Sequence, residues 1–582
     1  MSSIFMNKPQ NHQTARNYLA QWQSELQKTN CTNDVLLSHS VDFILGNLDE
    51  NDEEFVSLFY ALGQKLISEL EPKVAENDYR LNLPRLESYD GIGQLTNEIR
   101  HHPYYTQVGD GIYGTGMMKK INQPGQLTKS LLLFYLTSHL GEAGHNCPVA
   151  CTAGVIRVFN QIGDFPDKQA ILAKLIAPSF QDNYTGAQFV TEVQGGSDVG
   201  LNSCKAHKQA DGTWLIRGEK WFCSNANADV FLMTARYDED RVGTKGLGLF
   251  LVKRFNKDGT PNSLKIRRLK EKIGTRSMAS GEIDFENAKA IAMGKPENGF
   301  KLLMQNGLHL SRIYNSFAIL GAASRAYQVA RSYAKYRIAF GMAIENYPLV
   351  QQPLADIRAL NCAMLSSALA TAQLQDKVDC KKVVDENEQL LLRIRANINK
   401  YVTAHYCVEN IHHCIDVLAG NGAIETFSPL PRLFRDAIVY ENWEGTHNTL
   451  RMQILRDIHK YRIDKIFQTD LTTKLAQLSK QASQTQMQWI TALQEKLSQL
   501  SQKTESLLQQ PNAQQTLLVR DYIDEIAQLD MCTHLCAEAL HQHSTDKNAK
   551  NKLLEWLLIK FELIKTEKYS ASWLKLMNQV VG

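Results

Sequence analysis

Apolar residues recur at helical spacing through the first third of the chain, lose that period near residue 186, and regain it near 296. Phe55, Phe59, Leu62 and Leu66 mark one helical face, and residues 130–140 read as a helix apolar enough to be buried. Between 186 and 295, short apolar runs at 214–216, 230–235, 247–252, 264–269 and 282–285 alternate with turn signals. Asp211-Gly212 and Asp258-Gly259 fall between such runs, as hairpin turns do. Beyond them Ile313, Phe317, Leu320, Ser324, Tyr327 and Arg331 share a face of one long helix. Residues 354–374 and 388–419 supply two more. The pattern predicts a mainly α chain with a central β domain. Its regions are a helical domain over 1–185, a β domain over 186–295, a helical bundle over 296–462, and an appendix of further helices over 463–582. Within that appendix Leu475, Leu478, Met487 and Leu493 keep helical spacing until Pro511-Asn512 breaks it.

Size and composition agree with several soluble globular units. A chain of 582 residues exceeds one ordinary core, and its 43% hydrophobic and 21% charged content is that of a globular protein. A net charge of +3 gives no electrostatic footprint for nucleic acid or an anionic membrane. The eleven cysteines, odd in number and scattered, read as reduced thiols, which predicts a cytoplasmic compartment, or the mitochondrial matrix in a eukaryote. The first residues show no apolar stretch followed by a small-residue cleavage site, so no secretory signal is expected. No run approaches 18 uncharged apolar residues, so no membrane span is expected.

Several stretches carry candidate chemistry. Gly109-Asp110-Gly111-Ile112-Tyr113-Gly114 matches G-x-G-x-x-G, but no strand precedes it and Pro124-Gly125 follows; an irregular glycine-rich loop is expected rather than a dinucleotide fingerprint. His145 and Cys147 have no further ligands nearby and read as packing. Cys532, His534, Cys536, His541 and His543 fall in one apparent helix, where alternate positions point to different faces and do not converge on a metal. The loop Thr191-Glu192-Val193-Gln194-Gly195-Gly196-Ser197-Asp198 is dense in hydroxyls and glycine, suited to a ligand or simply to a polar turn. Late in the chain, Trp443-Glu444-Gly445-Thr446 places a carboxylate beside an aromatic. In a poorly solvated spot such a carboxyl rises toward the range of a general base. The same residues also read as a helix start, with Thr446 as cap and Glu444 as a solvated charge.

With that domain order in view, four segments resemble the acyl-CoA dehydrogenase family: Thr191-Glu192 with Gly195-Gly196-Ser197-Asp198; Gly218-Glu219-Lys220-Trp221-Phe222-Cys223-Ser224-Asn225; Arg337 with Phe340-Gly341; and Gly420-Asn421-Gly422 with Arg435-Asp436 and Trp443-Glu444-Gly445-Thr446. The likeness is closer to the AidB-like branch, through Leu86-Glu87-Ser88-Tyr89-Asp90, Glu142-Ala143-Gly144 with Cys147-Pro148, and Pro348-Leu349-Val350-Gln351-Gln352-Pro353. The resemblance implies a bound FAD and removal of two hydrogens from an acyl-CoA of medium or long chain. Glu444 would take the α-proton, and the β-hydride would pass to flavin N5. Thr191, Gly196, Ser197, Phe222, Ser224, Trp443, Thr446 and Asn448 would contact the cofactor. Arg337, Phe340, Gln351, Asp416 and Gly420 would hold its phosphates and adenosine across subunits. Pro348 stands where the family has a glutamine on the adenosine half, and Asp416 where most members have glutamine. Ser197, Arg312, Glu444 and Gly445 would bind the substrate, with His309 replacing an acidic residue near Arg312. The implied partners are an electron-transfer flavoprotein or similar acceptor and further copies of the chain, as a dimer or dimer of dimers. The alternative is an AidB-like flavoprotein that mainly binds DNA or acyl-CoA with weak turnover; the balanced charge of the tail gives no support to DNA.

Overall fold

The computed structural model describes residues 11–46, 50–541 and 547–582; His543 of the cysteine–histidine cluster lies outside them. Its elements in chain order begin with α1 (His12–Leu26), α2 (Val35–Leu45), α3 (Glu50–Lys65) and α4 (Glu71–Asn77). A hairpin of β1 (Arg85–Tyr89) and β2 (Leu95–Arg100) follows, then α5 (Pro103–Tyr113), α6 (Met117–Ile121), α7 (Leu127–Thr137), α8 (Asn146–Gln161) and α9 (Lys168–Leu175). The central strands are β3 (Gly186–Phe189), β4 (Lys205–Lys208), β5 (Trp214–Ser224), β6 (Val230–Arg236), β7 (Leu247–Lys253), β8 (Leu264–Leu269) and β9 (Ser280–Ala292). After α10 (Pro296–Leu302) and α11 (His309–Tyr336) comes the small hairpin β10 (Ile338–Ala339) and β11 (Met342–Ala343). The bundle helices are α12 (Pro348–Asp379), α13 (Glu386–Leu418), α14 (Leu430–Asn442) and α15 (His447–Tyr461). The chain finishes with α16 (Ile463–Leu478), α17 (Gln484–Gln509), α18 (Asn512–Ala539), α19 (Lys547–Lys560) and α20 (Ala571–Val581). Contacts divide the chain into two compact units, Glu69–Ala318 and the remainder.

In the Glu69–Ala318 unit the seven central strands form one sheet that curls on itself. β5 pairs with β9, β9 with β7, β7 with β6, and β4 links β5 back to β6. Inward side chains such as Phe189, Trp214, Phe231, Phe250 and Phe285 fill its interior. Gly212 and Gly259, at φ +84° and +81°, make the two turns the sequence marks; only glycine adopts that backbone without strain. The first region is mainly helical as expected, and the β1–β2 hairpin is the one departure from that pattern among its described residues. Its polar strands show no strong alternation, so their pairing is set by tertiary contact. Leu86 and Ile99 pack on the sheet's core, and the Asn97 amide donates to Leu264 O at 2.9 Å while accepting from Ile266 N at 3.0 Å. A correction concerns Gly109 and Gly111, which lie inside α5 rather than in a loop. A Cβ at Gly109 would come within 2.6 Å of the Phe180 ring, and one at Gly111 within 2.7 Å of Leu70. They are glycine so that the helix can pack closely.

The other unit is helical. α11, α12 and α13 match the three long periodic stretches, with Pro348 at the first position of α12, where its missing N–H costs nothing. The final helices are not an appendix. α18 packs on α12, and a buried Arg395 of α13 reaches Asp470 of α16 at 2.7 Å. Glu538 of α18 pairs with Lys550 of α19, both buried, and the Ser40 hydroxyl of α2 donates to Glu538 at 2.8 Å. The polar composition of 468–515 hid this, because a helix needs only one apolar stripe to be held. α18 ends at Ala539, so His541 lies beyond the helix carrying Cys532, His534 and Cys536. Among the described residues no group of His, Cys, Asp or Glu is arranged to hold a metal, and no helix is long and apolar enough to cross a membrane.

Candidate active site

In the Glu69–Ala318 unit, the loop after β3 is tied to β5 by a buried ion pair. Lys220 Nζ lies 2.7 Å from Glu192 Oε1, with the lysine side chain fully buried and the glutamate 2% exposed. Glu192 also accepts from Ser203 N (2.6 Å), Ser203 Oγ (3.1 Å) and Gln194 Nε2 (2.9 Å). Burial alone would raise the Glu192 carboxyl, but the Lys220 charge and these donors hold it below its ordinary range. Next to it, Thr191 O accepts from Trp221 N at 3.0 Å, so loop and strand are joined at two successive residues. A Cβ at Gly196 would sit 2.6 Å from Thr191 Oγ1, which brings the glycine turn against that hydroxyl. Ser197 is exposed. Along β5, Phe222 is 51% exposed, and Ser224 is half-buried opposite Ser280 of β9. Lys270 Nζ lies 3.5 Å from the Trp221 ring centroid and 4.8 Å from that of Phe222. Arg312, on α11, is buried.

In the helical unit, α14 ends at Trp443, whose N–H donates to Val439 O at 3.2 Å. Glu444 then takes φ +57° and Gly445 φ +106°, and Thr446 opens α15 by accepting from Thr449 N. Left-handed backbone is unfavourable for a glutamate and common at sites held by their surroundings. Glu444, Trp443 and Gly445 are half-buried, and Thr446 and Asn448 exposed. His447 Nε2 lies 2.7 Å from Glu441 Oε1, and burial holds His447 below its ordinary range despite that carboxylate. The helix-start reading therefore holds for Thr446 as cap, while Glu444, two residues ahead of it, is a half-buried charge in a left-handed turn rather than a solvated one. At the β10–β11 hairpin, Arg337 is exposed, and no carboxylate pairs with its guanidinium among the described residues. Phe340, 71% exposed at φ +51°, forms the hairpin's tip, and the Tyr347 hydroxyl donates to the Ala339 and Phe340 carbonyls at 2.9 and 3.1 Å. Gln351, in the first turn of α12, is half-buried. Asp416, on the last turn of α13, is exposed. Gly420 lies in the short turn after it, and a Cβ there would meet nothing within 4 Å.

The residues fit the flavin dinucleotide that the resemblance implies. An exposed aromatic and hydroxyls on one strand and its adjoining loop suit a flat polar ring. An exposed arginine without an internal carboxylate suits a phosphate, which it can bind through two parallel N–H bonds. The structure brings Thr191 to Gly196, and Trp443, Glu444, Gly445 and Thr446 into one turn. The sequence did not single out the Glu192–Lys220 pair in one unit or, in the other, Lys400, whose ammonium donates to Glu441 O at 2.8 Å and Gly445 O at 2.7 Å. A signal existed for Lys220, since it occupies an inward position of β5, the parity of Trp214 and Ile216.

Three family models match the chain in order. "Adaptive response protein AidB N-terminal domain" covers residues 24–182, "Acyl-CoA dehydrogenase, middle domain" 187–288, and "Acyl-CoA dehydrogenase, C-terminal domain" 297–459. Putative acyl-CoA dehydrogenase AidB of Escherichia coli K12 is 28% identical over 397 residues, 65% of this chain and 70% of that protein. Acyl-CoA dehydrogenase family member 11 of Caenorhabditis elegans is 29% identical over 409 residues; the match takes in 68% of this chain but only 65% of the relative's length. Among solved structures, Caenorhabditis elegans ACDH-11 in complex with C11-CoA superposes with a TM-score of 0.81 at 23% identity, covering 91% of both chains. Butyryl-CoA dehydrogenase of Megasphaera elsdenii gives 0.56 at 23% identity over 70% of this chain and 97% of its own.

Proposed function

This chain belongs to the acyl-CoA dehydrogenase family, with an N-terminal domain of the AidB type, and from that premise we propose that it is an FAD-dependent oxidoreductase converting an acyl-CoA thioester to the trans-2-enoyl-CoA. The observation that carries the reading is Glu444, a half-buried carboxylate held at φ +57° in the family's C-terminal domain between two helices. Glu444 takes the α-proton, which is weakly acidic because the thioester carbonyl accepts only part of the carbanion charge. Its own backbone N–H donates to that carbonyl as charge develops there. FAD, when bound, accepts the β-hydride and so carries away the electron pair. Thr191, Ser224, Thr446 and Asn448 hydrogen-bond the cofactor, Gly196 and Ser197 line its approach, and Phe222 and Trp443 cover its rings. Arg337 neutralises phosphate, with Phe340, Gln351, Asp416 and Gly420 on the adenosine side, in a homo-oligomer built as a dimer or dimer of dimers. Ser197, Arg312 and Gly445 contact the substrate. The acyl chain is of medium or long length, a choice supported by the C11-CoA bound to the nematode protein. An electron-transfer flavoprotein or similar acceptor reoxidises the enzyme.

The test is anaerobic bleaching of the flavin by a panel of acyl-CoAs. A general base contributes about 10² to 10⁴ in rate, so Glu444→Gln should lose turnover by that order while retaining FAD. Wild-type turnover by that variant would refute the assignment. A second reading, a flavoprotein acting mainly by binding DNA or acyl-CoA with weak turnover, comes from the likeness to the AidB type over 24–182. The signature of its DNA form is retardation that weakens steeply with salt; no shift at low micromolar protein removes that form.

A further inference from the structure

Lys400 lies on α13, its side chain fully buried, yet it is the sort of residue a helix core seldom accepts. Its ammonium donates to two backbone carbonyls, Glu441 O at 2.8 Å and Gly445 O at 2.7 Å. Those carbonyls bracket the strained turn: Glu441 lies in the last turn of α14, and Gly445 directly follows Glu444. The last carbonyls of a helix have no partner within it and carry the negative end of its dipole, so a buried cation belongs there electrostatically. Burying an ammonium is costly, and an apolar side chain of similar length would fill the same space without that cost. Packing alone therefore does not account for a lysine at this position.

We propose that Lys400 is a positioning residue, clamping residues 441–445 so that Glu444 is presented at a fixed angle to its substrate's α-carbon. Residue 441 is gripped twice, at its carbonyl by Lys400 and at its carboxylate by His447 of α15. The turn between is left few ways to relax from φ +57°. The inference rests on Glu444 being the base.

The test compares Lys400→Met and Lys400→Arg as FAD-loaded enzymes, each in the wild-type and the Glu444→Asp background. Readouts are kcat, KM, exchange of the substrate's α-hydrogen in D2O, flavin content and thermal midpoint. Displacing a reacting group by about 1 Å costs about 10²-fold. Lys400→Met should therefore lower kcat and α-exchange by about 10- to 100-fold, with KM and flavin content little changed. Lys400→Arg, which keeps charge and donors, should restore part of the loss. In the Glu444→Asp background, where the carboxylate is already displaced, the same change should cost less than threefold. Equal losses in both backgrounds, or no loss in either, overturn the clamp while leaving the base intact. If Lys400→Met does not accumulate folded, Lys400→Arg alone decides by the same comparison of backgrounds. Absence of any turnover or α-exchange in the wild type overturns the base reading and the clamp with it.

Discussion

Replacing Lys220 by methionine removes the charge that balances Glu192 and keeps nearly the same volume. Both side chains are buried, with the ion pair at 2.7 Å. Truncating one partner of a buried pair costs about 3–5 kcal/mol, because the remaining charge is left uncompensated. Glu192 keeps donors from Ser203, Cys204 and Gln194, at 2.6–3.2 Å, so the lower end applies, about 3 kcal/mol. At roughly 2–4 °C per kcal/mol for a unit of this size, the thermal midpoint should fall by roughly 6–12 °C. The sign of the pH dependence follows from Glu192, whose carboxyl is held below its ordinary range in the fold. In the wild type its contribution is full above the unfolded value near 4.3 and is lost as pH falls through the folded value. Without Lys220, burial raises the same carboxyl, so the gap between the two proteins should narrow as pH falls from 7 toward 4. Calorimetry of the FAD-free proteins across that range provides the measurement, and Lys220→Met with Glu192→Gln should recover part of the loss. A single variant within 1 °C of wild type at pH 7, or a gap independent of pH, would show that the pair does not hold the loop to β5 as described.

Three further outcomes concern Arg337, His145 and Gly109. Arg337→Ala removes a charge-assisted contact worth about 1.5–3 kcal/mol, so FAD should bind about 10- to 100-fold more weakly by fluorescence titration; a change under twofold would remove Arg337 from the phosphate site. Burial pushes His145 down to about 3, so the stability it contributes is present above the unfolded value near 6.5 and is lost as pH falls toward 3. At pH 5 that loss is about 2 kcal/mol, and His145→Gln should flatten the stability curve between pH 7 and 5 relative to wild type; parallel curves would contradict the assignment. Gly109→Ala places a methyl 2.6 Å from the Phe180 ring, and overpacking should destabilise by about 1–3 kcal/mol in urea unfolding even though alanine favours helix; a stabilised variant would mean that α5 has room to move.

Much of the fold is written in local periodicity. The long helices and the five apolar strands each bury one face, and burial imposes a period of 3.6 or 2 that is legible without a partner. The turns at Gly212 and Gly259 and the cap at Thr446 are equally local, because the backbone conformation restricts the residue on the spot. The β1–β2 hairpin and the glycines of α5 were not legible: Asn97 is needed for its bonds to β8, and Gly109 for the space Phe180 takes. The candidate site divides in the same way. Thr191, Ser224, Arg337 and Glu444 stand in short motifs that the sequence displays. Lys220 lies 28 residues from Glu192, and Lys400 lies 41 from Glu441. A charge in a helix or strand reads as solvated until the chain is folded and its partner is in place. Sequence alone determined most of the helices and central strands, and which residues are candidates for the chemistry. Tertiary structure decided which charges are buried, and therefore which turns are held in the shape that chemistry needs, because desolvation and pairing depend on neighbours that only folding brings together.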